Sequence, residues 1–253
     1  MSTVVSLSNN GPDVAKRRPE CALCIRRNEC LFGAMTSGDA APLNVTRVIY
    51  HAGDRLFEQG ESAKKVMFVG TGTAKTQMTD ANGDLQVVGF PSAGDVLGVL
   101  PGSAGRHACT AIALDTVAVC EVDREELLNA LSHSPRNMAE VLSRCAAESE
   151  NQAKHLLLLG QKTAEQRMAA FVLDRSSRMR NAGLASEQVD LPMSRADLGS
   201  YLALAVETVS RLLTRLQDAG YLSVQRHGVG ILNRQGLDAV VNPVGDMDQR
   251  GAA

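Results

Sequence analysis

The sequence predicts an α+β protein in three parts: an N-terminal antiparallel β-roll, a long dimerisation helix and a C-terminal winged helix-turn-helix. Three observations carry that prediction. A chain of 253 residues suits two modest domains at about one domain per 150 residues. Short apolar stretches punctuated by glycine occupy residues 47 to 122, the pattern of an antiparallel roll or barrel. Beyond residue 124 the periodicity turns helical and ends in the order helix, turn, helix, hairpin.

Taken in order, residues 1–20 read as a flexible leader, polar and carrying Gly11, Pro12 and the basic run Lys16-Arg17-Arg18. Residues 21–35 form a loop in which Cys21, Cys24 and Cys30 are spaced CxxCxxxxxC. The roll occupies 36–135, with Lys65–Val69 as a buried strand, Thr79–Gly83 as a hairpin turn and Val117–Val122 as another strand. Asn82-Gly83 suits that turn because both residue types tolerate positive φ.

Residues 136–162 form a long helix. Met138, Leu142, Cys145, Ser149, Gln152, Leu156 and Leu159 recur at alternating spacings of four and three, a coiled-coil seam with a polar middle. A buried core helix shows the same pattern, but a folded domain on each side favours the dimer seam. Ser149 and Gln152 make that seam intrinsically weak.

Residues 163–242 carry the winged helix. A helix runs through Arg180, and Ser194 with Asp197 forms a capping box at the start of a short helix ending near Leu202. A second helix from Val206 stops at Gly220, a residue suited to a left-handed cap. Tyr221–Ile231 then reads as a hairpin, and residues 243–253 as a disordered tail.

Composition narrows the function. With 44% hydrophobic and 21% charged residues the chain is an ordinary globular one. No window approaches the roughly 18 consecutive apolar residues of a membrane span, and the start lacks a signal peptide; the expected location is cytoplasmic. No Trp, three Tyr and five Phe leave little for stacking single-stranded bases. A net charge of −2 means that any DNA binding is carried locally. There is no nucleophile elbow, phosphate loop or HExxH motif, and His51, His107, His133, His155 and His227 show no metal spacing or paired acid; catalysis is not expected.

The chemistry lies in two places. On the helix from Val206, the apolar residues Val209, Leu212, Leu213 and Leu216 make one stripe, while Glu207, Ser210 and Arg211 project from another face near the N-terminus. That end of a helix-turn-helix meets base edges in the major groove. Arg donates a fork to guanine and Glu accepts from the cytosine amino group; the alternative is a solvated face or a Glu207–Arg211 ion pair. Three close thiols and one distant thiol hold zinc or an iron-sulfur cluster equally well by spacing. The single CxxC pair weighs mildly against zinc. Cys109, Cys120 and Cys145 are scattered through segments that read as core, and each suits a small buried hydrophobe.

Glu207–Leu216, the Cys21/Cys24/Cys30 spacing and Leu114–Val122 together resemble the fumarate and nitrate reduction regulators, the oxygen-sensing branch of the cyclic-AMP receptor protein superfamily. The resemblance spans about Cys21 to Leu237, and the combination is far more specific than any one part. It implies a cyclic-nucleotide-binding-like roll and a 4Fe–4S cluster on Cys21, Cys24, Cys30 and Cys120, with Cys109 and Cys145 left as packing residues. It further implies a homodimer on double-stranded DNA with palindromic TTGAT-like half-sites read by Glu207, Ser210 and Arg211, and release of DNA when oxygen degrades the cluster. RNA polymerase is the implied partner at the turn Asn82-Gly83-Asp84 and near Thr116. Arg226, His227 and Arg215 are candidate phosphate contacts, with a solvated face as the alternative. The runner-up within the fold is a regulator responding to a cyclic nucleotide. Against it, Gly98-Val99 and Ala108-Cys109 stand where nucleotide-binding relatives carry Gly-Glu and Arg-Ser, which removes the charge partner of the phosphate.

Overall fold

The structure is a computed structural model that describes residues 13–17, 21, 24–35, 43–181 and 183–243. The chain divides into two compact units, 1–145 and 146–253.

The first unit is built on two antiparallel sheets. Strands β1 (Asp13–Arg17), β2 (Thr46–Tyr50), β3 (Arg55–Phe57), β4 (Lys65–Thr71), β5 (Ala74–Thr79), β6 (Leu85–Gly89), β7 (Val96–Leu97), β8 (Thr110–Ala113) and β9 (Val117–Asp123) alternate between them. The five-stranded sheet has the order β1-β2-β9-β4-β7 and the four-stranded one β3-β8-β5-β6. Helices α1 (Leu31–Met35), α2 (Arg124–Ser132) and the start of α3 (Pro135–Gln161) complete the unit. Asp123 caps α2 by accepting from the backbone N–H groups of Glu125 and Glu126, and α3 begins at Pro135, where a missing N–H costs nothing.

Period-2 alternation in β4 and β9 gives the unit two cores. Met67, Val69, Val117 and Val119 join residues of β2, β3, β5 and β8 in a core drawn from both sheets. Val66, Phe68 and Val122 point the other way, into a core with Cys30, Leu31, Phe32, α2 residues Leu127 and Leu131, and Val141 of α3. Successive strand side chains face opposite sides, so two buried faces make these strands apolar throughout. The hairpin turn falls between β5 and β6, where Gly83 has φ +90° and Asp80 Oδ1 accepts from the backbone N–H groups of Asn82 and Asp84. That pair of bonds holds the Asp80 carboxyl below its ordinary range.

Where a flexible leader is expected, Asp13–Arg17 instead forms β1 and pairs with β2. Strand β2 would otherwise be an edge with unpaired backbone groups, so even a polar segment adds to it. The rest of residues 1–20, residues 36–42 and the tail beyond Pro243 lie outside the described residues.

In the second unit, the remainder of α3 is followed by α4 (Ala164–Asn181), β10 (Gln188–Asp190), α5 (Arg195–Leu202), α6 (Val206–Asp218), β11 (Leu222–Gln225), β12 (Gly228–Ile231) and α7 (Arg234–Val241). The Ser194–Asp197 capping box is present in both directions, and Gly220 adopts φ +72° after α6. The turn between α5 and α6 is tight. A Cβ on Gly199 would lie 2.6 Å from the Leu204 carbonyl oxygen, so glycine is required for the two helices to approach.

The wing differs from a two-stranded hairpin. Its sheet has three strands, β10-β12-β11, because Val189 packs inward opposite Val229; a three-residue strand carries too little alternation to be legible alone. Helix α7 is likewise missed, since only Leu237 among its side chains is buried.

Candidate functional site

The cysteine loop is a series of tight turns: the Arg27 N–H donates to the Cys24 carbonyl at 3.0 Å and the Cys30 N–H to the Arg26 carbonyl at 2.8 Å. An Arg26–Glu29 ion pair of 2.9 Å spans the same turn. The loop delivers Cys30, 7% exposed, to the core beside α2 and α3, with Cys21 packed against it and Cys24 exposed.

Of the distant cysteines, Cys120 and Cys145 pack against the core that holds Cys30. Cys120 stands on β9 between Arg47 of β2 and Phe68 of β4. With Phe68 and Val122 it faces the core that contains Cys30. Cys109 packs against the other core, on the far side of the sheet. Cys109 immediately precedes β8 of the four-stranded sheet, and that place holds it against the other core.

The electrostatics agree with that grouping. Burial first, then the neighbouring Cys30 and Cys21 and, more weakly, Cys24, push the Cys120 thiol up to about 12 against a lowering contribution from Arg47. Burial comes first for Cys30 and Cys21 as well. Four thiolates placed together repel one another, so a cationic centre is what makes the ionised set favourable; a coordinated thiol is deprotonated outright. Among the described residues no three Cys, His, Asp or Glu side chains are arranged to hold a single metal ion. A set of four cysteine thiols is a donor set that either zinc or an iron-sulfur cluster accepts.

Along α3 the residues of the expected seam separate into groups. Met138 and Cys145 pack against the core of their own unit beside buried Val141, so at these places the core-helix reading holds. Leu142 and Leu156 are 61% and 71% exposed, Ser149 and Gln152 are exposed between them, and Leu159 is half-buried. Gln152 Nε2 donates to Glu148 Oε1 at 3.2 Å. Exposed leucines on one helix flank mark a surface for association.

On α6 the buried residues are Val209, Leu212, Leu213 and Leu216. Their burial turns Glu207, Ser210 and Arg211 to the exposed side. Among the described residues Glu207 and Arg211 form no ion pair with each other, leaving the Arg211 fork open; the Ser210 hydroxyl donates back to the Val206 carbonyl at 3.3 Å. Arg226 and His227 are exposed in the wing. Arg215 reaches Glu165 at 3.3 Å.

The turn opposite the roll's β4 is held by the protein's own cation. Arg124 donates to the carbonyls of Ala63 at 2.5 Å, Val99 at 3.0 Å and Gly98. His107 is buried and stacks on Phe57 at 3.8 Å.

Sequence reasoning missed the aromatic contact that seats the end of α3 on the second unit. His155 stacks on Tyr201 of α5 at 4.1 Å, and Phe171 of α4 meets the same ring edge-on at 5.8 Å. Burial lowers the His155 pKa, opposed by the Tyr201 backbone and Asp174; burial, then Asp174, raises Tyr201 to about 12. A folded-state pKa below the ordinary 6.5 means that the unfolded chain binds the proton first. Stability therefore falls as pH drops below about 6.5 and levels off beneath the folded pKa. Urea unfolding at pH 7.5 and 5.5 is expected to show this loss, smaller in His155→Gln; an unchanged pH dependence in that variant would assign the loss elsewhere, His107 being lowered in the same direction.

Residues 47–134 match the family model of a cyclic nucleotide-binding domain and residues 166–240 that of a Crp-like helix-turn-helix domain. The chain is 36% identical over 188 residues to the fumarate and nitrate reduction regulatory protein of Salmonella typhimurium, covering 74% of this chain and 75% of that one. It is 35% identical over 240 residues to the transcriptional activator protein FnrA of Stutzerimonas stutzeri, covering 92% and 96%. Among solved structures, FixK2 from Bradyrhizobium japonicum is similar with a TM-score of 0.71 at 31% identity, covering 78% and 96%. None of the described helices is long and apolar enough to cross a membrane.

Proposed function

Because the chain belongs to the CRP/FNR family of DNA-binding transcription regulators, we propose that it is the oxygen-responsive kind, a cytoplasmic homodimer that binds palindromic TTGAT-like DNA while a 4Fe–4S cluster is intact. The observation that carries this reading is that Cys120 of β9 packs against the same core as Cys30 and Cys21, with Cys24 on the same loop. These residues are the proposed ligands. When bound, the cluster supplies an oxygen-labile tie between the loop and the roll.

The chain's own residues do the rest. Leu142 and Leu156 form the apolar part of the dimer surface on α3, and Ser149 and Gln152 weaken it, so a contribution of a few kcal/mol from ligation decides the monomer–dimer balance. Arg211 donates to guanine, Glu207 accepts from cytosine, and Ser210 contacts a neighbouring edge. Two protomers set their α6 helices about one helical turn of DNA apart. The exposed Asn82-Gly83-Asp84 turn and Thr116 are the proposed contacts for RNA polymerase. Gly98-Val99 and Ala108-Cys109 stand where nucleotide-binding relatives carry Gly-Glu and Arg-Ser, so a cyclic phosphate lacks its charge partner, which favours the cluster over a nucleotide as the signal.

The test is anaerobic purification with iron, sulfide and zinc analysis, and absorption and sedimentation before and after air. About four iron and four sulfide per chain, bleached by air together with loss of the dimer, is the expected result. Stoichiometric zinc, or a metal-free dimer insensitive to air, overturns it.

A further inference from the structure

Arg144 lies on α3 between the exposed Leu142 and the core-packed Cys145. Its guanidinium is engaged at both ends. Nε donates to Glu140 Oε1 at 2.9 Å, one turn earlier on the same helix, and Nη2 donates to the backbone carbonyl of Glu29 at 2.7 Å, 115 residues away in the chain. Glu29 immediately precedes Cys30. The Arg144 side chain is 30% exposed, so the contact is partly shielded from water, and a cation on a carbonyl is among the stronger hydrogen bonds. Between the same loop and helix lies a cleft of about 210 Å³ bordered by Asn28, Met35 and Arg136, so packing there is incomplete. Across that gap the guanidinium acts as a strut.

We propose that Arg144 is the positioning residue that transmits the ligation state of the cysteine loop to the dimer surface of α3; the proposal rests on the cluster reading above. Ligation of Cys30 fixes the place of the Glu29 carbonyl. Glu140 orients the guanidinium toward it, as an i, i+4 neighbour does, and the carbonyl in turn holds the helix in the rotation that presents Leu142. When Cys30 is released, the carbonyl loses its fixed position, and α3 keeps only its apolar contacts through Met138, Val141 and Cys145. Those contacts are non-directional, whereas the hydrogen bond to the Glu29 carbonyl fixes a direction. Arg144 is neither a proposed ligand nor a seam residue, which makes it separable from both.

The experiment uses the full chain and the variants Arg144→Met, which keeps most of the apolar stem, and Arg144→Lys, which keeps one charge without the fork. Each is measured anaerobically for iron, sulfide and visible absorption, and by sedimentation with and without the cluster. Arg144→Met is expected to load the cluster with the wild-type spectrum and stoichiometry, and to dimerise at least about tenfold more weakly than loaded wild type, a change of about 1.4 kcal/mol. Its cluster-free form is expected to match cluster-free wild type, and Arg144→Lys to recover part of the loss. Equal dimerisation of loaded Arg144→Met and loaded wild type overturns the relay. Equal weakening of the loaded and cluster-free forms also overturns it, because Arg144 then acts as a plain structural contact of the helix. Wild type that binds no iron and sulfide overturns the cluster reading itself, and the relay with it, an outcome distinct from the other two. Thermal unfolding of both variants identifies any that fail to fold, and Glu140→Gln then repeats the test by loosening the strut from its other end.

Discussion

Cys120→Ser is expected to leave a folded protein that takes up no stable 4Fe–4S cluster, does not dimerise under anaerobic conditions and loses specific DNA binding. The substitution nearly conserves volume and places a hydroxyl in a half-buried position at a cost of about 1 to 3 kcal/mol, within the usual stability of about 5 to 15 kcal/mol. A serine hydroxyl ionises far less readily than a thiol and is a poor partner for iron. Because Cys120 is the proposed ligand carried by the sheet rather than by the loop, its loss is expected to untie the two even if the other three thiols remain. Cys109→Ser is the matched control: it faces the core drawn from both sheets and is expected to retain the full cluster. Iron and sulfide analysis with visible spectra checks both. A cluster retained in Cys120→Ser and lost in Cys109→Ser would exchange their roles.

Arg211→Ala is expected to abolish the preference for guanine in each half-site. A good bidentate pair contributes about 1 to 3 kcal/mol of discrimination, which at 1.4 kcal/mol per tenfold is a loss of about fivefold to 150-fold per half-site, roughly additive over a palindrome. Arg226→Ala, in the wing, is expected to behave differently, weakening all sequences alike and reducing the salt slope by about one. Titrations of wild-type and single-base-substituted half-sites at several salt concentrations separate the two. An unchanged base preference in Arg211→Ala would remove the assignment of α6 as the reading helix.

Much of the fold is legible because its signals are local. The capping box of Ser194 and Asp197, the stop at Gly220, the stripe of Val209, Leu212, Leu213 and Leu216 and the Asn-Gly turn each depend on residues within a few positions of one another. Their physics is complete at that range. Strand β1, strand β10 and helix α7 are not legible, because each is short and polar and owes its place to a surface made by distant residues. Strand β10 exists only where Val189 meets Val229.

The candidate site divides along the same line. The pattern of Cys21, Cys24 and Cys30 and the exposed triad Glu207, Ser210 and Arg211 can be read from spacing, since a turn or a helix face sets where neighbours in sequence point. Which distant cysteine packs against the core of Cys30 cannot be, because Cys109 and Cys120 are equally apolar in context, and only the fold puts Cys120 on β9 facing that core and Cys109 before β8 against the other. Nor can periodicity tell Met138 and Cys145, turned into their own unit's core, from Leu142 and Leu156, turned outward. The sequence alone determined the elements and the chemistry they carry, because those follow from neighbours along the chain. Tertiary structure decided which side chains meet: Cys120 with the core of Cys30 and Cys21, the Arg144 strut to the Glu29 carbonyl and the His155–Tyr201 stack. These are contacts across long separations, and only packing brings them together.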